Sequence, residues 1–324
     1  MKTIFTGIQS SGNLHIGNYF GAMKRMIDRQ APENQVIIMV ADLHSFTTNK
    51  DPELFKQLQY DSMIDWLSCG VDIDTTIFFL QSDIRAHTEL TWLLSCFTPM
   101  GMLERATSYK DKIEKGIEPN AGLFVYPVLQ TCDILLYDAD IVPVGKDQKQ
   151  HLEMARDIAQ KFNHYYGDTF KIPESDIDAS VQIIPGLDGE KMSKSYSNTI
   201  PIFGTEKDIK KKVMSIKTES IALGEPIDPN CIPMQFHKLF GNPYYDELVS
   251  KCESGSVGFG DLKKELFGLI WEYFTDARVL RKKLESDPEY INECMVKGAK
   301  RANKKAESVL LRVREKMGLG RHIF

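Results

Sequence analysis

The sequence predicts an α/β protein, a doubly wound parallel sheet followed by a C-terminal α-helical domain. Three observations carry this. Short apolar runs alternate with helix-like stretches through the first half, each strand-like run being followed by a crossover long enough for a helix. Beyond Ser195 the strand-like runs give way to helical periodicity. Between the two textures lies a short lysine- and serine-rich string, which sets the domains at 1–195 and 196–324.

Residues 2–6 read as a buried strand and 17–29 as a helix. Residues 35–41 form a second apolar strand, ending at Asp42. The stretch 51–69 opens on Asp-Pro-Glu, a good helix start, and stops at Gly70. Residues 75–81 give a third strand and 86–97 the next helix. Such sheets bind ligands outside the carboxyl ends of their strands, which places Gly7, Gln9, Asp42, His44 and Gln81 around one crevice. Residues 103–127 are polar and basic (Arg105, Lys110, Lys112, Lys115) and read as an excursion over that crevice. A long amphipathic helix follows at 148–162 and a last strand at 181–184. The second domain reads as helices at 206–216, 243–252, 259–286 and 288–317.

Bulk properties narrow the function. The chain has 324 residues, 42% hydrophobic and 26% charged, the profile of an ordinary globular protein. No apolar run approaches a membrane span, and the opening residues do not read as a signal peptide, so a cytoplasmic protein with no membrane partner is expected. A net charge of −5 argues against indiscriminate nucleic-acid binding, and no DNA partner is expected. Six cysteines stand without a Cys-x-x-Cys pair, which suits free thiols and predicts neither zinc nor an iron–sulfur cluster. One local exception to the acidic balance is 297–316, with eight Lys or Arg against two Glu. Such a run is either a solvated helix face or a surface for RNA phosphates.

Two strings carry chemistry. Thr6-Gly-Ile-Gln-Ser-Ser-Gly-Asn-Leu-His-Ile-Gly-Asn18 follows the first strand and enters a helix. Its glycines let backbone approach a ligand, and His15 and Asn18 stand where a helix start meets phosphate. Gly189-Glu-Lys-Met-Ser-Lys-Ser195 offers two ammonium groups flanked by hydroxyls, a set suited to a polyphosphate. Together they resemble the paired signatures of class I aminoacyl-tRNA synthetases, in a His-Ile-Gly-Asn form. Two further strings, Tyr126-Pro-Val-Leu-Gln-Thr-Cys-Asp-Ile-Leu-Leu-Tyr137 and Asp140-Ile-Val-Pro-Val-Gly-Lys-Asp-Gln-Lys-Gln-His-Leu-Glu-Met-Ala-Arg156, are similar to the tryptophanyl-tRNA synthetase family. So are Ile4-Phe-Thr-Gly-Ile-Gln9, Lys300-Arg-Ala-Asn303 and Met317-Gly-Leu-Gly-Arg321, so the resemblance covers essentially the whole chain.

The resemblance implies a Rossmann-like catalytic domain and a helical domain for the tRNA anticodon. It implies activation of L-tryptophan by ATP and transfer to tRNA(Trp), with Mg²⁺ held mainly by phosphates, in a homodimer. Tryptophan has one polar handle, an indole N–H that only donates, so its pocket needs apolar walls and one buried acceptor. By family position that acceptor is Asp133, inside an otherwise apolar run. Leaving it unpaired against phenylalanine would cost roughly 10⁴–10⁵ in specificity, by analogy with sites built to bond a substrate polar group. Phe5, Gly7, Val142 and Val144 match pocket walls; Tyr126 and Gln148 match groups on the α-amino end, Gln9 the carboxylate side, and His44 a histidine near the reacting end. Gln130 stands where some relatives carry methionine, and would bond either the amino acid or a water. His87 and His151 read as structural.

For ATP, the matching positions are Gln9, Ser10, Ser11, Gly17 and Asn18 at the first signature, and Gly145, Lys146, Asp147 and Ile183 for ribose and adenine. Lys191, Met192, Ser193, Lys194 and Ser195 form the second signature. His15, Lys191, Ser193, Lys194, Ser195 and Lys112 are the residues expected to act on the migrating phosphates, with Lys110 a neighbouring alternative to Lys112. A tyrosine-specific enzyme would want two polar partners for its phenol, and the lone Asp133 favours tryptophan.

Overall fold

The computed structural model describes residues 1–10, 12, 14–47, 49–106, 116, 120–145, 148–176, 184–222 and 224–320. Five strands form one sheet: β1 (Lys2–Ile8), β2 (Asn34–Val40), β3 (Ile77–Leu80), β4 (Ile141–Pro143) and β5 (Glu174–Asp176). Their order is β3-β2-β1-β4-β5 and every pairing is parallel. The chain thus builds outward from β1 in one direction through β2 and β3, then returns to β1's other side at β4. That is the doubly wound arrangement the alternation predicted.

The helices of the first half are α1 (residues 16–27), α2 (Asp42–Ser45), α3 (Pro52–Ser68), α4 (Ala86–Ser95), α5 (Met100–Glu104), α6 (Ala121–Leu135) and α7 (Lys149–Tyr166). Local chemistry fixes several ends. Asp51 caps α3 by accepting from Glu53 and Leu54 N–H, with Pro52 in the first turn. Asn120 caps α6 by accepting from Leu123 N–H at 2.9 Å. Residues 121–127, read from sequence as part of a polar excursion, are instead the first turns of α6. Residues 103 and 104 of the expected excursion end α5, its stretch 107–119 has only Gly116 described, and the expected strand 181–184 lies outside the described residues except for Ile184.

The second half gives α8 (Glu206–Met214), α9 (Ile232–Leu239), α10 (Tyr245–Glu253), α11 (Phe259–Tyr273), α12 (Thr275–Glu285) and α13 (Pro288–Lys316). The stretch read as one helix at 259–286 is broken at Phe274, and α9, β4 and β5 have no counterpart in the sequence reading.

The chain forms two compact units, and they do not divide at 195/196. The first holds residues 1–12, 26–180 and 287–324; the second holds 13–25 and 181–286. The long basic helix α13 therefore belongs with the sheet. Gly298 explains how: a Cβ there would stand 1.6 Å from the Phe78 carbonyl oxygen of edge strand β3, so only glycine allows this approach. Arg301 donates to the carbonyls of Ile73, Thr75 and Thr76, just before β3. Ala302, Ala306, Val309, Leu310 and Val313 join the core formed by Phe5, Ile37, Met39, Ile77 and Phe79 of the strands. Lys297 pairs with Asp74, Arg312 with Asp138 and Arg314 with Glu89. Much of the positive charge that suggested RNA contact is spent holding the helix to its own unit.

Candidate active site

In the first unit, the winding reverses between β1 and β4, which is where such sheets open a crevice. The chain leaves β1 into Gln9 and Ser10 and leaves β4 into Val144 and Gly145. Ser10 is buried, its hydroxyl 2.9 Å from that of Ser45, which in turn donates to the Ser10 carbonyl. The exits of β1 and β2 are thereby tied together.

Helix α6 supplies the polar groups. Tyr126, Gln130 and Asp133 follow at spacings of four and three, so they share one face. Tyr137 continues the stripe one turn on and stacks on Phe5 of β1, centroids 5.4 Å apart and planes 10° apart. Gln130 Nε2 donates to Gln148 Oε1 at 3.3 Å, and His151 Nδ1 lies 3.0 Å from the same oxygen. Tyr126 meets both His44 and His151 edge-on, at 5.9 and 5.8 Å. Phe5 and Val142 are buried against this cluster.

Asp133 is the centre of the unit's polar chemistry. It is only 2% exposed, yet three side chains from three different elements converge on it. Gln81 Nε2 donates to Oδ1 at 2.7 Å, His87 Nδ1 lies 2.6 Å from the same oxygen, and His44 Nε2 lies 2.7 Å from Oδ2. Burial alone would push this carboxyl up. The hydrogen bonds and charge of His44 and His87 more than offset it, and the pKa falls to about 2. Asp133 is an anion at any physiological pH, hence purely an acceptor. His44, expected near the reacting end, here bonds the Asp133 carboxylate. His87, read as structural, is part of the same network and reaches on to Tyr137 Oη at 2.8 Å.

The second unit holds the lysine loop and the end of the first signature, residues 14–18, and these touch. His15 is the N-cap of α1: its Nδ1 accepts from Asn18 N–H at 3.3 Å, and Asn18 Oδ1 accepts from His15 N–H at 3.4 Å. Gly17 N–H donates to Met192 Sδ at 3.2 Å. A Cβ on Gly17 would come within 3.1 Å of both the His15 ring and Met192, so the glycine is there for close approach. Ile16 N–H donates to Ile200 O and Ile202 N–H to Leu14 O, which pins the segment after the lysine loop beside the first signature. Burial, and then the charge of Lys194, lower the His15 pKa to about 4. His15 is therefore neutral, Nδ1 accepting and Nε2 carrying the proton.

The loop itself is organised from within by Asn198, which the sequence reading passed over. Its side chain accepts from Ser193 N–H at 2.8 Å and donates to Asp188 Oδ1 at 2.8 Å and the Lys191 carbonyl at 3.1 Å. Met192 is buried while Lys191, Lys194 and Ser195 are exposed, and the Ser193 and Ser195 hydroxyls lie 2.8 Å apart. The loop thus buries its methionine and presents its cations. Ser11, Lys110, Lys112, Lys146, Asp147 and Ile183 lie outside the described residues.

This sheet, with a histidine-capped helix set against a lysine loop, defines a class I tRNA synthetase. The family described as tRNA synthetases class I (W and Y) matches residues 1–275. The tryptophan–tRNA ligase of Fusobacterium nucleatum is 48% identical over 100% of both chains, and that of Campylobacter jejuni is 46% identical over 98% of this chain and 99% of its own. The crystal structure of the Campylobacter jejuni tryptophanyl-tRNA synthetase complexed with ADP and tryptophan superposes with a TM-score of 0.93, at 46% identity, covering 98% of this chain and 100% of that one. The Mycoplasma pneumoniae enzyme gives 0.83 at 30% identity, over 99% and 98%. The chain belongs to the tryptophan–tRNA ligases of that class I family.

Proposed function

We propose that the protein activates L-tryptophan with ATP and transfers it to the 3′ end of tRNA(Trp). The observation that carries tryptophan is Asp133: a buried, permanently ionised acceptor beside the Phe5–Tyr137 stack, matched to a ligand with a flat apolar body and one N–H. In the first step the tryptophan carboxylate attacks the α-phosphorus of ATP, the bond to the bridging oxygen breaks, and pyrophosphate leaves. The nucleophile arrives ionised, so the chain's work is positioning and charge stabilisation. His15 donates from Nε2 to phosphate oxygen, Asn18 and the Gly17 backbone hold the same region, and Lys191 and Lys194 neutralise the departing pyrophosphate with Ser193 and Ser195 as donors. Gln9, Ser10, Gly145 and, by resemblance, Ser11, Lys112, Lys146, Asp147 and Ile183 complete the nucleotide and carboxylate contacts, while Gly7 stays with the pocket walls. Tyr126, Gln130 and Gln148, already linked through hydrogen bonds and ring contacts, hold the α-amino end. Val142 and Val144 line the indole.

Mg²⁺ would enter with ATP, held mainly by the phosphates, and would supply charge neutralisation there. Among the described residues no group of three His, Cys, Asp or Glu side chains converges as a cage, and no step is assigned to the ion. Among them no helix is long and apolar enough to cross a membrane. From the family resemblance we infer a cytoplasmic homodimer. The helices of residues 196–286 serve the tRNA anticodon. Pyrophosphate exchange dependent on tryptophan, run beside tyrosine and phenylalanine, tests the reading. Exchange with tryptophan alone is expected; equal exchange with tyrosine would defeat it.

A further inference from the structure

Resting on the tryptophan reading above, the geometry points to a role for His87 that the signatures do not contain. An ionised carboxylate offers about four acceptor positions. On Asp133, Gln81 and His87 take both positions of Oδ1, and His44 takes one on Oδ2. One position on Oδ2 is left without a partner among the described residues. It lies on the oxygen bonded to His44, the least buried of the three donors' side chains and the one that faces Tyr126. Gln81 and His87 are both fully buried.

We propose that His87 is a positioning residue for amino-acid selection: with Gln81 it locks Oδ1, so that only Oδ2 can receive the indole N–H. The protons are fixed by the partners. Asp133 only accepts, so His87 Nδ1 carries a proton and donates to Oδ1, while Nε2 meets the Tyr137 hydroxyl at 2.8 Å. Gln81 is oriented in turn, because its Oε1 accepts from Leu43 N–H at 3.1 Å. Tyr137 is held by its stack on Phe5, itself a wall of the indole pocket. The wall and the acceptor are therefore one connected unit, Phe5–Tyr137–His87–Asp133. A carboxylate free to rotate could follow a misplaced ligand or a water; one bonded twice on the same oxygen cannot. Such rigidity is what makes an unpaired polar group costly to a wrong substrate.

The test compares kcat/KM in pyrophosphate exchange for tryptophan and for its isostere bearing sulfur in place of the indole N–H. In wild type the ratio should be large. His87→Leu, which keeps bulk and removes the donor, should shrink the ratio about tenfold or more, almost wholly through tryptophan. His87→Asn, whose amide can still donate to Oδ1, should keep the ratio within about threefold of wild type. Tyr137→Phe, which keeps the stack and removes the hydroxyl, should shrink the ratio by a few-fold, and it decides the matter if His87→Leu does not fold. Equal losses on both substrates in His87→Leu, or an unchanged ratio in Tyr137→Phe when that variant must decide, would overturn the proposal. If Asp133→Asn collapses the ratio while the His87 and Tyr137 variants do not, this inference alone fails. If Asp133→Asn leaves the ratio intact, the indole reading itself fails.

Discussion

The Asp133 network and the lysine loop solve opposite problems with opposite materials. In the first unit the Asp133 charge is buried and nearly saturated by side chains from three other elements, so that its remaining capacity is aimed. In the second unit's lysine loop the cations are exposed, and the buried parts are uncharged: Met192 under the loop and Asn198 tying its backbone. Selecting a nearly apolar amino acid needs a dry acceptor that cannot adapt, because discrimination comes from the cost of leaving it unpaired. Moving a polyanion needs charge that can follow it as it leaves. The loop's shape is fixed where it is neutral, and the work proposed for it sits where it is not.

The comparison breaks most visibly at Asp133. Asp133→Asn replaces a permanent acceptor with an amide that also presents a donor, in the midst of three donors. Selectivity for tryptophan over phenylalanine should fall by about 10²–10⁴. Retention within a few-fold, measured by exchange with both amino acids, would remove Asp133 from the indole.

Lys194→Ala comes next. Exchange should slow by about 10²–10³, with tryptophan affinity unchanged in equilibrium binding. Lys191→Ala should behave similarly and combine less than additively, since both cations act on one anion. The same variant sharpens the pH behaviour of the second unit. His15 has an ordinary pKa of 6.5 and one of about 4 in the fold, so the unfolded chain takes up a proton first. The stability this histidine contributes is full above about pH 6.5 and declines as pH falls toward about 4. Removing the Lys194 charge should raise the His15 pKa while burial still keeps it below the ordinary value, a shift readable by NMR titration.

Asn198→Ala should cost about tenfold in the exchange rate, the scale of two or three lost buried hydrogen bonds partly replaced by water. Because the cations themselves remain, tryptophan binding should not change. A loss in binding equal to the loss in rate would mean that the substitution damages the fold rather than the presentation of the loop.

Arg301→Ala should leave exchange kinetics nearly intact and lower unfolding stability by about 1–3 kcal/mol, because three carbonyls before β3 lose their donor. Weakened tRNA affinity at unchanged stability would instead restore α13 as a nucleic-acid surface.

Much of this was legible in the sequence. The strands of the first half could be read because they are buried on both sides and run apolar without interruption, as at 36–40. The two signatures could be paired because glycine, histidine and lysine at those spacings have few other uses. What escaped has a physical reason. Strands β4 and β5 are three residues each, too short to show a period. The place of α13 depends on Gly298 and its small-residue face, a long-range fit invisible beside the louder signal of its lysines. His87 and Asn198 act on residues 46 and 5 positions away through buried hydrogen bonds that leave no periodic trace. Only the stripe Tyr126, Gln130, Asp133, Tyr137 offered a clue, since its helical spacing marks one face carrying four polar-tipped side chains in an apolar helix.

One measurement addresses the division of labour most directly: the ratio of kcat/KM for tryptophan to that for phenylalanine, taken in Asp133→Asn and in Lys194→Ala. The expected result is a collapsed ratio in the first variant and an unchanged ratio in the second, whose rates fall alike with both amino acids. A collapse of selectivity in Lys194→Ala, or its survival in Asp133→Asn, would contradict the assignment of selection to the buried carboxylate and of chemistry to the exposed loop.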